Sequence, residues 1–441
     1  MKTKYGVKLK TIKIKTKLID LKYFNWSLFI ALSLTALVPA IYQTIRTFLI
    51  STNTSVEGID VIGQMEWFDL INETLLAFLV VPLYSVFNKL NDNKETFAKY
   101  AFKLGILIFI VYLIFQMGVF VYANNLVNHM NPDDVDINMV VNYLRIETIA
   151  FMVSIIYSVS NVIFIIVGKK KNVYILLITN AVMLIISDFV LIPRYGVMGV
   201  AYSNILVNGV IGLMSIVLLM INKAIKVEVF KKEDFKTIIN YFKVGFFSGC
   251  QQLLDNLIYA VMVVKMVNLV AEQGNYWVAN NFIWGWLLIP ITALIEIIKR
   301  DSKNYRELKQ SNYYFIIGFV VILWLVTIPL WSLFFKDIEK LANYNEIFEI
   351  TLKLFPFYIA YALCIIPDNI FIGLGKTYFN AVNSVIINIV YYGIFYILYL
   401  TNTINFTLNT IIIMFGCGNV FHMVISYIEQ FIMVKRIKFE V

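Results

Sequence analysis

Long apolar runs alternate with short polar ones from residue 24 to residue 433. A helix needs about 20 mostly apolar residues to cross a bilayer. Twelve runs meet that length: 24–50, 64–87, 99–122, 139–167, 173–192, 197–222, 241–264, 277–298, 314–335, 350–374, 377–399 and 408–433. Pro and Gly interrupt them rarely, with 8 Pro and 20 Gly in 441 residues, so most of each run is free to stay helical. The pattern predicts an all-α polytopic membrane protein with twelve transmembrane helices, numbered here in chain order.

Composition agrees and excludes other classes. Hydrophobic residues make up 60% and charged residues 15%, whereas a soluble domain holds about 45–50% and about 25%. A soluble enzyme could not hide this much apolar surface, and a disordered chain does not carry it. The net charge of +9 does not indicate nucleic acid, because Lys and Arg gather in alternate loops. The tail 1–23 carries eight Lys, and loops 88–98, 169–172, 223–240 and 299–313 and the tail 434–441 are also basic. The opposite loops hold Arg194, Lys336 and Lys340 and acids such as Asp133, Asp134 and Asp136. The expected orientation places both termini in the cytosol. The first apolar run outlasts a signal-peptide core and is read as a retained helix 1. Enrichment in Ile, Asn, Lys, Phe and Tyr fits an AT-rich coding sequence, so a bacterial cytoplasmic membrane is expected. Cys250, Cys364 and Cys417 sit inside apolar runs without disulfide or metal spacing, and are read as buried small residues.

An internal repeat organises the helices. Helix 4 ends Asn161-Val-Ile-Phe-Ile-Ile-Val-Gly168-Lys169, and helix 10 ends Asp368-Asn-Ile-Phe-Ile-Gly-Leu-Gly375-Lys376. At their starts, Tyr143-Leu-Arg-Ile146 resembles Thr351-Leu-Lys-Leu354. An even number of helices separates the copies, so both halves run the same way. This predicts two parallel six-helix lobes related by an axis along the membrane normal. The expected divisions are a basic tail 1–23, a first lobe 24–222, a linker 223–240, a second lobe 241–433 and a tail 434–441.

Several segments resemble the MATE (multidrug and toxic compound extrusion) transporters. Ser187-Asp188-Phe-Val-Leu-Ile192 precedes Pro193-Arg-Tyr-Gly-Val-Met-Gly-Val-Ala201, similar to the family's late helix 5 aspartate and the loop ending Gly-Val-x-Gly-x-Ala. Phe242-Lys-Val-Gly-Phe-Phe-Ser-Gly249 followed by Asp255 is similar to the family's helix 7 opening, with Phe247 where Pro usually stands. Asn280-Asn-Phe to Pro290 fits as well. The resemblance implies a V-shaped pair of bundles that exports cationic or amphipathic compounds against entry of Na⁺ or H⁺. The wider superfamily includes flippases for lipid-linked oligosaccharides. One departure stands out. Thr44-Ile-Arg-Thr-Phe-Leu-Ile-Ser51 places Arg46 where the family has an acid, and Leu184 replaces an expected Asn.

Charges inside membrane helices are costly and mark pairing or function. Glu66, Asp69 and Glu73 follow three- and four-residue spacing on helix 2. They form either a cation-attracting vestibule or, for the first two, a solvated helix start. Asp188 is either a cation ligand or the partner of Arg46. Arg cannot lose its proton, so pairing would hold the carboxylate ionised and shift coupling to the second lobe. Asp255, among Leu253, Leu254, Leu257 and Ile258, is the leading coupling candidate, with a hydrogen-bonded core Asp as the alternative. Asp368 is a further ion-coupling candidate, while Glu296 is read mainly as a surface partner of Lys299 and Arg300. Arg145 and Lys353 are read as snorkelling, and His422 as an interior histidine. Tyr42, Phe282, Trp284, Trp286 and Met262, together with Arg46 and Glu73, are the expected cavity lining.

The function these features predict is alternating-access export of an organic compound by H⁺ or Na⁺ antiport. No cofactor is expected beyond that ion. The expected partners are the bilayer and a small organic substrate, with no nucleic acid, and the chain is expected to be a monomer. The alternative is a flippase for an anionic lipid-linked precursor, in which Arg46 meets the phosphate. Two His, no metal-spaced Cys/His group and no Gly-rich nucleotide loop argue against an enzyme.

Overall fold

The computed structural model describes residues 21, 24–54, 56–90, 93–130, 136–302, 308–374 and 376–439. Nearly all of tail 1–23, Asp133, Asp134 and Gly375 lie outside the described residues. No strand occurs among the described residues. The first six spans are α1 Trp26–Asn53, α2 Gly58–Tyr84, α3 Lys94–Met130, α4 Ile137–Ile166, α5 Lys171–Tyr195 and α6 Met198–Ile221. α7 runs from Asp234–Tyr259 through a wide π turn, Ala260–Val264, into Lys265–Leu269. α8 is a bent pair, Gln273–Leu287 and Ile289–Asp301, with 54° between its halves. α9 Gln310–Ile338, α10 Tyr344–Gly373, α11 Tyr378–Leu400 and α12 Leu408–Lys435 complete the set.

The helices form two six-helix lobes. In the first, α4 packs on α6 and α3, and α5 packs on α6; in the second, α10 packs on α12, α8 and α9. One core, around Leu83, Phe87, Leu104 and Phe164, stays within the first lobe. The other crosses from Trp67 and Phe68 into Tyr276, Ile298 and Phe335. The linker is tied to the first lobe by the buried Lys103 ammonium, which donates to Asp234 at 2.7 Å, and by the Lys226 amide, which donates to the Ala98 carbonyl at 2.9 Å.

Two seams join the lobes. Along α2 and α7, Asn256 donates to the Leu70 carbonyl at 3.0 Å and to Thr74 Oγ1 at 3.1 Å. A Cβ on Gly249 would strike the Phe78 ring, so only glycine allows this approach. Along α1 and α8, Trp286 Nε1 donates to Thr44 Oγ1 at 2.9 Å. At the end of the molecule where α1 stops and α2 starts, the lobes also meet through their turns. A Cβ on Gly63 would lie 2.5 Å from the Gln273 carbonyl oxygen, and one on Gly274 would strike Asp60. Asn268 donates to the Gln64 carbonyl at 3.4 Å and the Met130 carbonyl at 3.3 Å. Ser51 Oγ donates to the Glu339 carbonyl. This far end is therefore closed. The Glu339 side chain is buried there with Oε2 unpaired, and burial pushes its carboxyl up to about 8.

Candidate functional site: an acidic cavity between the lobes

α2 carries its acids across a ridge rather than along one face. Glu66 and Glu73 are seven residues apart, nearly two full turns, and both line a cavity of about 620 Å³ between the lobes. Asp69 is turned about 60° away from Glu66. It lines a second cavity of about 350 Å³, walled by the first lobe and by Trp277 of α8. α2 begins at Gly58, before the predicted start at 64, so Glu66 and Asp69 lie within the span and not in a solvated loop.

The larger cavity is completed by Asp255 from α7, Asp368 from α10 and His422 from α12. Ser384 Oγ and Asn388 Nδ2 of α11 both donate to Asp255 Oδ1, the latter at 2.5 Å. Ser426 Oγ donates to Asp368 Oδ1 at 2.6 Å and in turn accepts from Asn383 at 2.7 Å. His422 Nε2 lies 3.1 Å from Asp368 Oδ2. Ser384 and Asn388 thus hold the Asp255 carboxylate in place, and Ser426 holds that of Asp368. Rings from Tyr259, Trp284, Tyr358 and Phe415 cover much of the remaining wall. Trp284 Nε1 donates to Tyr358 Oη at 3.0 Å, which donates onward to Asn280 at 2.6 Å, so these rings are fixed in orientation.

The first lobe is organised differently. Arg46 Nε donates to Asp188 Oδ2 at 2.7 Å, and its Nη2 donates to Asp188 Oδ1 at 3.2 Å and to Asn204 Oδ1 at 2.9 Å. Asn204 then donates to Glu147 Oε1 at 2.6 Å. Arg46 is 9% exposed and Asp188 2% exposed. The fork geometry engages both carboxylate oxygens and leaves little of the guanidinium for a ligand.

The remaining expected lining residues divide. Tyr42, Phe282, Trp284 and Trp286 line a third cavity of about 460 Å³, beside Glu339. Met262 does not face a cavity: it is 1% exposed in the core. The π turn explains this. Met262 is seven residues past Asp255 and would return to the same face of a regular helix, but the wider turn delays the rotation. Lys353 is at the surface, pairing with Glu349 and Asn409, both at 2.8 Å. Arg145 lies 5.7 Å from the centre of the Phe120 ring. Glu296 pairs with Lys299 at 2.8 Å. The Ser and Asn donors of α11 and α12 were not singled out by sequence. Polar uncharged residues are too frequent in this chain for spacing alone to mark them.

No protein-family profile matches the chain, and no curated protein matches it in sequence. Solved structures do. An inward-facing multidrug resistance MATE transporter of the MOP superfamily superposes with a TM-score of 0.76 at 16% identity, over 93% of this chain and 98% of that one. An outward-facing structure of a multidrug resistance MATE transporter gives 0.65 at 15% identity, over 93% and 96%. A MOP superfamily transporter from Pyrococcus furiosus, described as having a binding pocket of reversed polarity and a different function, gives 0.67 at 16% identity, over 93% and 96%. The chain is a multi-pass membrane protein with the fold of the MATE transporters.

Proposed function

We propose that this protein exports organic cations by alternating access, driven by entry of H⁺ or Na⁺. One observation carries the reading. The cavity between the lobes is lined by Glu66, Glu73, Asp255 and Asp368, with no Lys or Arg on its wall among the described residues. Such a wall attracts cations, and its aromatic faces suit an organic one. Asp255 and Asp368 are the coupling acids, because each lines the cavity where H⁺ or Na⁺ and cargo would exchange. Asp188 is not, since Arg46 donates to both of its carboxylate oxygens.

The same pairing weighs against the flippase alternative. Arg46 was the cation available for a lipid phosphate, and it is committed to Asp188 and Asn204. The basic loops support cytosolic termini, which makes the closed far end the outer one and the described state closed to the outside. A bacterial cytoplasmic membrane and a monomer complete the proposal.

One charge crossing 100 mV supplies about 2.3 kcal/mol, enough for about 50-fold accumulation. In proteoliposomes under imposed H⁺ or Na⁺ gradients, the wild-type chain is expected to move a fluorescent organic cation. Asp255→Asn keeps the hydrogen-bonding shape but not the exchangeable charge, and is expected to lose the gradient-driven part. Full gradient-driven transport by that variant would remove Asp255 from the coupling role.

A further inference from the structure

The second lobe gathers a sulfur and a nitrogen donor around Asp368 that cation coupling does not require. Cys364 and Asp368 are four residues apart on α10, so their side chains share a face. His422 reaches the same point from α12. The Cys364 Sγ, an Asp368 oxygen and a His422 ring nitrogen all lie within 4.8 Å of one another. Cys364 is 2% exposed, while Asp368 and His422 line the cavity between the lobes. The sulfur therefore forms the floor of the group and the other two donors its open rim.

We propose that Cys364, Asp368 and His422 form a binding site for a borderline-soft divalent metal ion of the Zn²⁺, Co²⁺ or Cd²⁺ class. One thiolate, one imidazole and one carboxylate form a mixed S/N/O set that suits these ions and not Na⁺, Mg²⁺ or Ca²⁺, which prefer oxygen alone. Three protein donors leave a fourth position open toward the cavity, as in zinc sites that exchange their last ligand. The surroundings favour a dication: Glu66, Glu73 and Asp255 line the same cavity as His422, with no Lys or Arg on its wall among the described residues. The second sphere is in place as well, with Ser426 holding Asp368 Oδ1 and leaving Oδ2 for the metal.

Binding involves no redox change. The Cys364 S–H bond, whose hydrogen now points to the Tyr361 carbonyl at 3.1 Å, breaks as the S–metal bond forms. Its proton leaves to cavity water. His422 coordinates through Nε2 with its remaining hydrogen on Nδ1. A bound ion takes Asp368 and pins α10 to α12, so it competes with any cation that uses Asp368. The site itself rests on its donor set and does not depend on the transport reading.

The test is a Co²⁺ titration of the purified full-length chain in detergent, with Cys250 and Cys417 changed to Ser so that only one thiol remains. A thiolate-to-Co²⁺ charge-transfer absorption saturating at one equivalent is expected, with Zn²⁺ displacing it. Cys364→Ser should abolish the band, and His422→Gln should weaken binding by at least about tenfold, the lower end of what even outer-sphere changes cost. Absence of the band in the single-thiol protein, or its survival in Cys364→Ser, would overturn the proposal. Because Cys364 supplies the signal, the same band is expected in the unaltered chain, so the outcome does not depend on every variant folding.

Discussion

At the scale of single residues, Arg46 determines the character of the first lobe. Its bidentate contact with Asp188 buries two opposite charges in a span where neither would be tolerated alone. Removing one partner of such a pair costs about 3–5 kcal/mol, whereas removing both is far less costly. Arg46→Gln and Asp188→Asn should therefore each lower thermal stability in detergent sharply, and the double variant should recover much of the loss. Additive losses would show that the two side chains act separately. The presence of both residues was legible in sequence as charges inside apolar runs. Their contact was not, because 142 residues separate them and helix order alone leaves several partners open to Arg46. Cys364 shows the opposite difficulty. Its apolar neighbours marked it as a buried small residue, and it is buried, but only the packing of α10 on α12 brings His422 beside it.

At the scale of elements, the twelve apolar runs correspond to the helices of the structure, and the main differences lie in how they start and bend. α2 starts earlier than its apolar run because Asp60, Gly63 and Gln64 are polar or small yet are packed against the second lobe. Hydropathy reports the average environment of a segment and misses a polar turn sheltered by protein. The bend in α8 falls at Leu288, just before Pro290, which lacks the amide that a straight helix would use there. The π turn in α7 left no mark in the apolar pattern, since Ala260–Val264 is uniformly hydrophobic. Met262, inside that turn, is in the core and not on the expected cavity wall.

At the scale of the whole molecule, the far-end closure is the contact that the proposed alternating access would have to break. It depends on two glycines that let opposing backbones approach. Gly63→Leu adds a side chain where the Gln273 carbonyl leaves no room, and is expected to hold the far ends apart. A cysteine placed at Ser51, otherwise covered by the Glu339 backbone, would then react several-fold faster with a membrane-impermeant maleimide. Equal labelling in the two backgrounds would show that this seam does not control access.

Glu339 makes the same seam responsive to acidity. Closed, its carboxyl is raised to about 8 by burial; parted, it meets water and returns toward the ordinary value of 4.5. The closed form therefore holds a proton that the open form releases. The contribution is fully present below about pH 4.5 and is lost as pH rises toward 8, changing the balance up to about tenfold per pH unit within that window. Labelling at Ser51→Cys should rise with pH across this range, and Glu339→Gln should flatten the dependence. The pH of the surrounding medium would then act as a thermostat on the resting conformation, setting how often this door stands ajar.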